Sequence, residues 1–337
     1  MKVFVTGKLS DKAAQALSNF AQVDAYESDQ PMEPSEVEQR LEGKDALVCI
    51  LGDRVDAALF KKRPQLKLVA NVAVGYDNIN VADANDAGVL ITNTPGVLDN
   101  ATADLAFALL LAAARRIVEA DGFVRRGEWT GWKRELMLGA ELNGKTLGII
   151  GMGRIGKAVA KRARAFGLNL IYAREGSDKK TDDDLKKTFQ AQRVDLNELC
   201  CTADFISVNC PLRADTRHLL GKSQFDIMQP HCVLVNTSRG AVIDEDALIQ
   251  ALEEKKIAGC GLDVFENEPQ VPQRLIALDN VVLAPHIGSA TKETRAAMDE
   301  LAVKGLLEAF SGKLPTNAVN PDAWQKFSAK LKTTAST

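Results

Sequence analysis

Residues 147–156 read LGIIGMGRIG, and this stretch decides the fold class. An apolar run that is typical of a buried strand leads into Gly151, Gly153 and Gly156, which have the spacing GxGxxG. Gly151 permits a tight turn, Gly153 lets the backbone approach a pyrophosphate, and Gly156 lets the next helix pack closely on the strand. Free amides at the helix start would then face the phosphates. The stretch therefore predicts a strand, a turn and a helix that bind a dinucleotide.

The same alternation of apolar strand and helix continues from this turn to residue 285. Continuous apolar strands between helices are typical of a parallel sheet that is covered on both faces. Strands are predicted at 145–150, 169–172, 204–209, 232–236, 259–264 and 281–285.

The first hundred residues show a second alternation of the same kind. Its strands are predicted at 2–6, 46–51, 66–72 and 89–93. A long Ala- and Leu-rich helix is expected at about 100–126, and a final helix at 292–311, after which the polar tail from about Pro321 is expected to be peripheral. The pattern predicts an α/β protein with two doubly wound parallel-sheet lobes, and the chain is expected to cross back to the first lobe near residue 288.

Composition limits the classes of function. The chain has 337 residues, enough for two domains, and a formal charge of -3 without a long basic run, so no nucleic-acid partner is expected. The apolar stretch at 105–114 is too short to span a membrane, and the start of the chain has too short an apolar run for a signal peptide. None of the six cysteines forms a CxxC pair. A cytoplasmic protein with reduced thiols, no membrane partner and no metal site is expected.

The residues after the strand at 169–172 indicate which dinucleotide is bound. An NAD site usually places an acid there to accept from the ribose 2′-hydroxyl. Arg174 stands near that place, with Glu175 one step later. Arginine favours the 2′-phosphate of NADP, whereas a strand that ends one residue later makes Glu175 the acid and favours NAD. Arg174 as a solvated loop residue is the third alternative. NADP(H) is favoured and NAD(H) stays possible.

Three side chains that could carry out proton transfer each follow a predicted strand: Arg239, Glu268 and His286. Ligands bind at the carboxyl ends of strands in open α/β sheets, so these residues can converge. A histidine that a carboxylate keeps protonated can give a proton to a developing alkoxide, and Glu268 can serve His286 in this way. The guanidinium of Arg239 can bind the carboxylate of a 2-oxo acid and polarise its carbonyl.

Each of these residues alone has a structural explanation, as a strand-end histidine, a loop acid or a turn anchor. Their joint appearance behind a nucleotide turn favours catalysis. His218 and His231 are expected to lack such partners and to be surface or structural residues. Asp263 either contacts the nicotinamide amide or caps a turn.

With these motifs the chain resembles the D-isomer-specific 2-hydroxyacid dehydrogenases, and among them most closely the glyoxylate/hydroxypyruvate reductases. The resemblance covers about residues 1 to 315. It is carried by NVAVGYDNINV (71–81), TNTPGVL (92–98), ATADLAFALLLAAARR (101–116), GKTLGIIGMGRIG (144–156), VNTSRGAVIDEDAL (235–248), GLDVFENEP (261–269) and LAPHIGSAT (283–291).

The resemblance implies a catalytic trio of Arg239, Glu268 and His286. It also implies a flavodoxin-like substrate-binding domain (1–98 plus 290–337), an inserted Rossmann dinucleotide-binding domain (99–289) and a homodimer that the long helix and the Trp129/Trp132 segment hold together. The substrate would contact Leu51, Val72, Ala73, Val74, Gly75, Arg239 and His286, with the 72–75 backbone holding its carboxylate. The cofactor would be lined by Thr102, Gly151, Gly153, Arg154, Ile155, Gly156, Arg174, Cys210, Pro211, Thr216, Thr237, Ser238, Asp263 and Gly288.

The expected activity is NAD(P)H-dependent reduction of a small 2-oxo acid, glyoxylate or hydroxypyruvate, to the D-2-hydroxy acid. The sequence does not choose among 2-oxo acids, which pocket walls such as Leu51 would distinguish. The alternative is a dinucleotide-sensing protein of the corepressor type, which binds the cofactor without turnover. The intact trio counts against that alternative, because a sensor needs no acid.

Overall fold

The computed structural model describes residues 1–28, 30, 32–176 and 178–334, so the last three residues of the predicted tail lie outside the described residues. Contacts divide the chain into two compact units. Unit 1 comprises residues 1–98 and 290–337, and unit 2 comprises residues 99–289.

The chain alternates strands and helices almost throughout. The strands are β1 (Lys2–Val5), β2 (Gln22–Ala25), β3 (Ala46–Cys49), β4 (Leu68–Asn71), β5 (Leu90–Thr92), β6 (Thr146–Ile150), β7 (Asn169–Ala173), β8 (Ala191–Arg193), β9 (Phe205–Val208), β10 (Val233–Asn236), β11 (Gly259–Leu262) and β12 (Val281–Leu283). The helices are α1 (Asp11–Ser18), α2 (Pro34–Arg40), α3 (Ala57–Lys62), α4 (Val81–Ala87), α5 (Asp99–Ala114), α6 (Ile117–Arg125), α7 (Arg154–Ala165), α8 (Lys179–Phe189), α9 (Leu196–Thr202), α10 (Lys222–Phe225), α11 (Glu245–Glu253), α12 (Gln273–Ile276), α13 (Lys292–Phe310) and α14 (Trp324–Thr334). Two 3₁₀ turns lie at Gly240–Val242 and Pro321–Ala323.

Unit 1 is built on a five-stranded parallel sheet in the order β2-β1-β3-β4-β5. This is the flavodoxin-like order, in which the chain reverses direction across the sheet between β1 and β3. Strands β3 and β4 run in register from Ala46 opposite Leu68 to Cys49 opposite Asn71. The loops that follow these two strands therefore begin side by side.

Unit 2 is built on a seven-stranded parallel sheet in the order β12-β11-β10-β9-β6-β7-β8. Counted from β6 as the first strand, six of these strands have the Rossmann order 3-2-1-4-5-6, and β12 extends the sheet by one strand. The switch point lies between β6 and β9, where ligands bind in sheets of this kind. The predicted fold class, with a flavodoxin-like lobe and an inserted Rossmann lobe, is confirmed.

Apolar side chains cover both faces of the larger sheet. Leu147, Ile149 and Tyr172 pack with α5 and α7 on one face, and Ile150, Val208 and Leu234 pack with α9 and α11 on the other. Burial on both faces explains why these strands are continuous apolar runs. All six cysteines are free, and five of them are buried. No helix in the described part of the chain is both long and apolar enough to cross a membrane.

The single helix expected at about 100–126 is wrong, because the chain breaks it into α5 and α6. Arg116 adopts a left-handed conformation (φ 53°) at the break. The carbonyl of Ala114 accepts from the amide of Ala140 at 2.8 Å. A tertiary hydrogen bond thus takes the carbonyl that the next helical turn would use.

The expectation of a peripheral polar tail from Pro321 is also wrong. Helix α14 begins at Trp324, and Phe327 is fully buried against Trp324 and Phe310. Just before it, the buried Asn320 accepts from the amide of Ile91 at 2.7 Å. The tail is therefore an integral part of unit 1, which a mostly polar composition conceals.

Candidate active site

The predicted glycine turn joins β6 to α7 in unit 2. Gly151 has φ 90°, and a Cβ there would lie 2.6 Å from the amide nitrogen of Cys210. A Cβ on Gly156 would lie 2.2 Å from the carbonyl oxygen of Gly151. A Cβ on Gly153 would meet no atom within 4 Å. The first and third glycines are thus required by packing, whereas Gly153 faces open space on the side where a pyrophosphate would approach.

Helix α7 begins directly after this turn with Arg154 and Ile155. Its first turn contains no acidic residue, and Gly153 at the N-cap supplies no side-chain acceptor. The side chain of Arg154 is two-thirds exposed, with Nε 4.0 Å from the carboxylate of Asp99. The helix start therefore presents amides and an exposed positive charge, which suits an anion.

The strand whose end was predicted to indicate which dinucleotide is bound lies next to a cluster of charged side chains. Strand β7 ends at Ala173, so Arg174 is the first residue beyond it. Arg174 donates through Nε and Nη2 to one carboxylate oxygen of Asp182, at 3.0 and 2.9 Å. Arg193 donates to the other oxygen at 3.1 Å. We call Arg174, Asp182 and Arg193 the ribose-end cluster.

The electrostatics of the ribose-end cluster are set by Asp182. The hydroxyl of Tyr172 donates to it at 2.7 Å, and this hydrogen bond, followed by those from the two arginines, lowers the pKa of Asp182 despite partial desolvation. Glu175, the alternative acid, is mostly exposed and is paired with Arg213. Ser177 lies outside the described residues.

Residues predicted to line the dinucleotide surround the same end of the sheet. Burial raises the pKa of Cys210 to about 11, so its thiol is neutral. The hydroxyl of Thr216 donates to the carbonyl of Pro211 at 2.7 Å and fixes the loop after β9. The Oδ1 atom of Asn209 is buried and has no hydrogen-bond partner within the described ranges. An orphaned polar atom beside the glycine turn fits a site that a polar ligand completes.

The loop after β10 carries Thr237, Ser238 and Arg239. Asn236 orders it, since its Oδ1 accepts from the amide and hydroxyl of Ser238 at 3.0 and 2.9 Å and its Nδ2 donates to the carbonyl of Arg239 at 2.9 Å. The buried hydroxyl of Thr237 has no partner among the residues that the structure describes. Gly240 packs so closely that a Cβ would lie 1.9 Å from the backbone of Phe265. This contact brings the Arg239 loop against the loop that leads to Glu268.

Asp263 hydrogen-bonds to the loop that contains His286. These contacts correspond to the second of the two roles considered for it, the capping of a turn. Its carbonyl accepts from the amide of His286 at 2.8 Å. Its two carboxylate oxygens accept from the amides of Ile287 and Gly288 at 2.7 and 2.8 Å. Burial raises the pKa of Asp263, and the loop amides and the charge of His286 oppose that rise. Thr102 completes this corner, because a Cβ on Gly288 would lie 3.4 Å from its methyl group.

His286 and Glu268 form a direct pair. The Nδ1 atom of His286 lies 2.7 Å from Oε2 of Glu268, and the two side chains are 29% and 33% exposed. Oε1 of Glu268 accepts from the amide of Phe265 at 3.0 Å. Burial alone would raise the pKa of Glu268, but the hydrogen bond from His286, its charge and the charge of Arg239 lower it below its ordinary value. The arrangement keeps the glutamate ionised, and the structure thus brings the predicted trio together.

The expectation that His218 and His231 lack such partners is wrong, although both side chains are exposed, as expected of surface residues. His218 Nε2 lies 2.8 Å from Oε1 of Glu266, and His231 Nε2 lies 2.7 Å from Oδ1 of Asp204. Sequence reasoning missed both carboxylates because they are distant in the chain from their histidines. A carboxylate partner therefore does not by itself distinguish His286.

The loop whose backbone was predicted to hold a substrate carboxylate lies in unit 1. The loop 72–75 follows β4, and Leu51 lies in the neighbouring loop after β3. Three successive carbonyls of this loop accept hydrogen bonds, each at 2.8 Å. The amide of Thr94 donates to the carbonyl of Ala73. The side chain of Asn93 donates to the carbonyl of Val74, and that of Asn71 donates to the carbonyl of Gly75. The amides of residues 73–75 have no acceptor among the described residues. The loop thus presents N–H groups, as an anion-binding nest does.

Several of the residues that organise these sites were missed from the sequence. Asp182 and Arg193 lie in or beside a polar helix and an edge strand that carried no apolar signal. Asn71, Asn93 and Asn78 lie within or beside the quoted motifs, but only the structure shows which backbone groups they bind. No cluster of histidine, cysteine, aspartate or glutamate suited to a metal ion occurs within the described residues.

A dinucleotide turn at the switch point of a Rossmann sheet, with a histidine–glutamate pair at the carboxyl end of the same sheet, defines an NAD(P)-dependent dehydrogenase. Residues 107–288 match the family model described as D-isomer specific 2-hydroxyacid dehydrogenase, NAD binding domain. The chain belongs to the D-isomer-specific 2-hydroxyacid dehydrogenase family, so the predicted resemblance is confirmed.

Named relatives match this chain over nearly its whole length. A glyoxylate reductase of Thermococcus litoralis is 47% identical over 325 residues, covering 95% of this chain and 97% of that protein. The crystal structure of a glyoxylate reductase from Paecilomyes thermophila has a TM-score of 0.84 at 35% identity, covering 95% of this chain and 98% of that one. An NADPH-dependent glyoxylate/hydroxypyruvate reductase from Sinorhizobium meliloti, in complex with NADP and malonate, has a TM-score of 0.83 at 31% identity, covering 96% and 97%.

Proposed function

We propose that this chain reduces small 2-oxo acids, glyoxylate or hydroxypyruvate, to D-2-hydroxy acids with NADPH as the preferred cofactor. The 2.7 Å contact between His286 Nδ1 and Glu268 Oε2 in the nucleotide-binding unit is the observation that carries the proposal. Names of relatives that are 41–47% identical support glyoxylate as the substrate, and the Sinorhizobium meliloti relative extends the class to hydroxypyruvate.

The chain's own residues supply the proton. When bound, the reduced nicotinamide supplies a hydride to the carbonyl carbon. His286 donates a proton from Nε2 to the carbonyl oxygen, because Nδ1 is engaged by Glu268. The carboxylate stabilises the imidazolium before the transfer and accepts from the neutral ring afterwards. One hydride and one proton thus convert the carbonyl to an alcohol.

Arg239 binds the negative end of the substrate. Its guanidinium donates from Nη1 to the carbonyl of Ser238 at 2.7 Å, and its charge acts on Glu268. A planar guanidinium suits a carboxylate with an adjacent carbonyl, whose oxygen gains negative charge during reduction. The amides of Ala73, Val74 and Gly75 are the second set of donors that we assign to the substrate carboxylate. Leu51 is the proposed wall residue next to that loop.

The remaining residues that were predicted to line the cofactor keep that role in the proposal. The residues at the glycine turn hold the pyrophosphate. The members of the set are Thr102, Gly151, Gly153, Arg154, Ile155, Gly156, Arg174, Cys210, Pro211, Thr216, Thr237, Ser238, Asp263 and Gly288.

The ribose-end cluster supports NADPH over NADH. Arg174 follows β7 directly, and Arg193 adds a second guanidinium across Asp182. Two arginines can bind a 2′-phosphate. Asp182, the acid of this cluster, is held by both arginines and by Tyr172. We expect Arg174→Asp to shift the ratio of kcat/KM values from NADPH toward NADH. An unaltered ratio would contradict this assignment.

The central experiment measures oxidation of NADPH and NADH with a panel of 2-oxo acids. We expect turnover with glyoxylate and hydroxypyruvate, and His286→Ala to lower kcat for reduction by roughly 100-fold or more while NADPH still binds. Equal turnover in this variant would refute the role of His286. Absence of turnover with every 2-oxo acid, together with NADPH binding, would favour the sensing alternative, against which the histidine–glutamate pair argues.

A homodimer is the proposed assembly. Helix α6 has no buried residue, and large apolar side chains of this region are exposed. They are Ile117, Val118, Val124, Trp129, Trp132 and Leu138. A second copy of the chain would cover this surface, since apolar patches of this kind mark interfaces. Light scattering of the purified chain is expected to give twice the mass of the 337-residue chain.

A further inference from the structure

Two loops that carry proposed substrate contacts leave neighbouring strands of unit 1. Strand β3 ends at Cys49 and β4 ends at Asn71, and these two residues lie opposite each other in the parallel register. The amide of Val72 donates to the carbonyl of Cys49 at 2.8 Å, which joins the loops at their starts. We call residues 50–53 the first loop and residues 72–75 the second loop.

The first loop is closed by Asp53. Its Oδ2 accepts from the amide of Ile50 at 2.9 Å and from the hydroxyl of Thr6, and its amide donates to the carbonyl of Ile50 at 3.1 Å. Burial raises the pKa of Asp53, whereas these hydrogen bonds oppose the rise. Leu51 lies inside this closed turn, so its position depends on how the turn is held.

The second loop is held by side-chain amides. Asn71, which is fully buried, donates to the carbonyl of Gly75 at 2.8 Å, and Asn93 donates to that of Val74 at the same distance. These hydrogen bonds direct the two carbonyls toward Asn71 and Asn93. The amides of residues 73–75 are then left to face a ligand.

Asn78 contacts both loops. Its Nδ2 lies 2.9 Å from the carbonyl oxygen of Asp53 and 3.3 Å from that of Ile50. Its side-chain amide also pairs with that of Asn71, with both nitrogen–oxygen distances at 3.4 Å. The carbonyl of Asn78 accepts from the amide of Val55 at 3.0 Å, which fixes its backbone. One side chain thus joins the turn that contains Leu51 to the residue that orients the 73–75 amides.

We propose that Asn78 is a positioning residue that sets the separation of the two loops and thereby the size of 2-oxo acid that is accepted. This inference rests on the proposed function, because it assigns the two loops to the substrate. In this role Asn78 acts through two backbone carbonyls and Asn71, and we assign it no contact with the substrate or the cofactor. A side-chain amide suits this task because one group can donate to two carbonyls and still pair with a second amide.

The test replaces Asn78 by aspartate and by alanine. Aspartate keeps the shape but points an acceptor at two carbonyl oxygens, so the loops separate, whereas alanine only removes the link. We expect KM for glyoxylate to rise about 10-fold, the scale of one or two hydrogen bonds, with kcat changed less than threefold. The kcat/KM ratio between a bulkier 2-oxo acid and glyoxylate should rise. The Kd for NADPH, measured by fluorescence, should stay unchanged because the glycine turn lies in unit 2.

Asn80→Ala is the matched control. Asn80 lies two residues away and caps α4, its Oδ1 accepting from the amides of Ala82 and Asp83 at 3.1 and 3.2 Å. Loss of this cap should lower Tm without changing KM or the preference for substrate size. If the Asn78 variants bind NADPH and turn over with wild-type KM and size preference, the inference is wrong. If Asn80→Ala changes KM as much as they do, the effect is general loosening and the inference is equally wrong.

The proposed function fails in a different way. Wild-type protein that reduces no 2-oxo acid would remove the substrate assignment itself, whatever the Asn78 variants do. Active wild-type protein with unaffected Asn78 variants removes only the positioning role. Circular dichroism of each variant separates both outcomes from misfolding, and a misfolded alanine variant leaves the aspartate variant to decide.

Discussion

Replacing Glu268 by glutamine removes the negative charge next to His286 while keeping the size and shape of the side chain. The amide of glutamine can still accept from the ring, but it does not stabilise an imidazolium as a carboxylate does. Reduction needs the protonated ring as its acid, and the glutamine leaves that ring without a balancing negative charge. The glutamine variant should therefore reduce glyoxylate more slowly than the wild type does.

The size of this change follows from the contact. The joined atoms are 2.7 Å apart, and both side chains are about one-third exposed. A hydrogen bond to a charged group contributes about 1.5 to 3 kcal/mol, and partial exposure favours the lower part of that range, about 2 kcal/mol. Since about 1.4 kcal/mol corresponds to a factor of ten, a loss of about 2 kcal/mol corresponds to roughly 30-fold. We therefore expect kcat/KM for glyoxylate to fall roughly 30-fold in the glutamine variant.

The assay is NADPH oxidation by glyoxylate at one fixed pH, with kcat/KM fitted for the wild type and each variant. Glu266→Gln is the matched control, because Oε1 of Glu266 lies 2.8 Å from His218 Nε2 and the chemical change is the same. The control should leave kcat/KM unaltered. A wild-type kcat/KM in Glu268→Gln, or an equal fall in Glu266→Gln, would refute the reasoning.

Three further substitutions test separate parts of the fold. Asp263→Asn leaves one of two loop amides facing an N–H group, so the free energy of unfolding should fall by about 1–3 kcal/mol, measured by urea titration; an unchanged midpoint would contradict this. Gly156→Ala places a Cβ 2.2 Å from the carbonyl of Gly151, and NADPH affinity should fall by at least about tenfold in a fluorescence titration, a wild-type Kd being the contrary result. Asp45 should stabilise the fold above its ordinary pKa of 3.8. Burial raises its pKa, but the hydrogen bond from Lys67 and that from a backbone amide lower it overall, so this stabilisation is lost as the pH falls through the folded-state pKa. The pH dependence of the urea midpoint should therefore weaken in Asp45→Asn, and an identical dependence would count against this sign.

The central strands could be predicted because parallel strands covered on both faces are continuous apolar runs. Edge strands β2 and β8 were missed, since QVDA and AQR are partly exposed and polar. Helix α8 was missed for a similar reason, because Leu185 is its one buried residue and, apart from Leu185 and Phe189, KKTDDDLKKTF is polar. Periodicity reports burial, so elements that bury little surface give little signal.

The residues of the candidate site also fall into those that could be predicted from the sequence and those that could not. Chain order placed Arg239, Glu268 and His286 after successive strands, and parallel strands bring such residues to one edge of a sheet. Their partners could not be predicted, because a hydrogen bond such as that from Asn78 to the carbonyl of Asp53 depends on how two loops curve. Asp182 shows the same limit. No spacing rule relates it to Arg193, yet it holds the guanidinium groups of both Arg174 and Arg193.

A comparison of the three histidines shows which structural feature supports His286 as the proposed acid. Each lies within 2.8 Å of a carboxylate oxygen, so an ion pair alone would select all three equally. His286 lies three residues beyond the end of β12, whereas His218 lies ten residues beyond β9 and His231 precedes β10. The loop of His286 is also held through three hydrogen bonds to Asp263. Its partner Glu268 also feels the charge of Arg239. The position directly after β12 therefore supports His286 as the proposed acid, and the Glu268 carboxylate supports the proposed proton transfer.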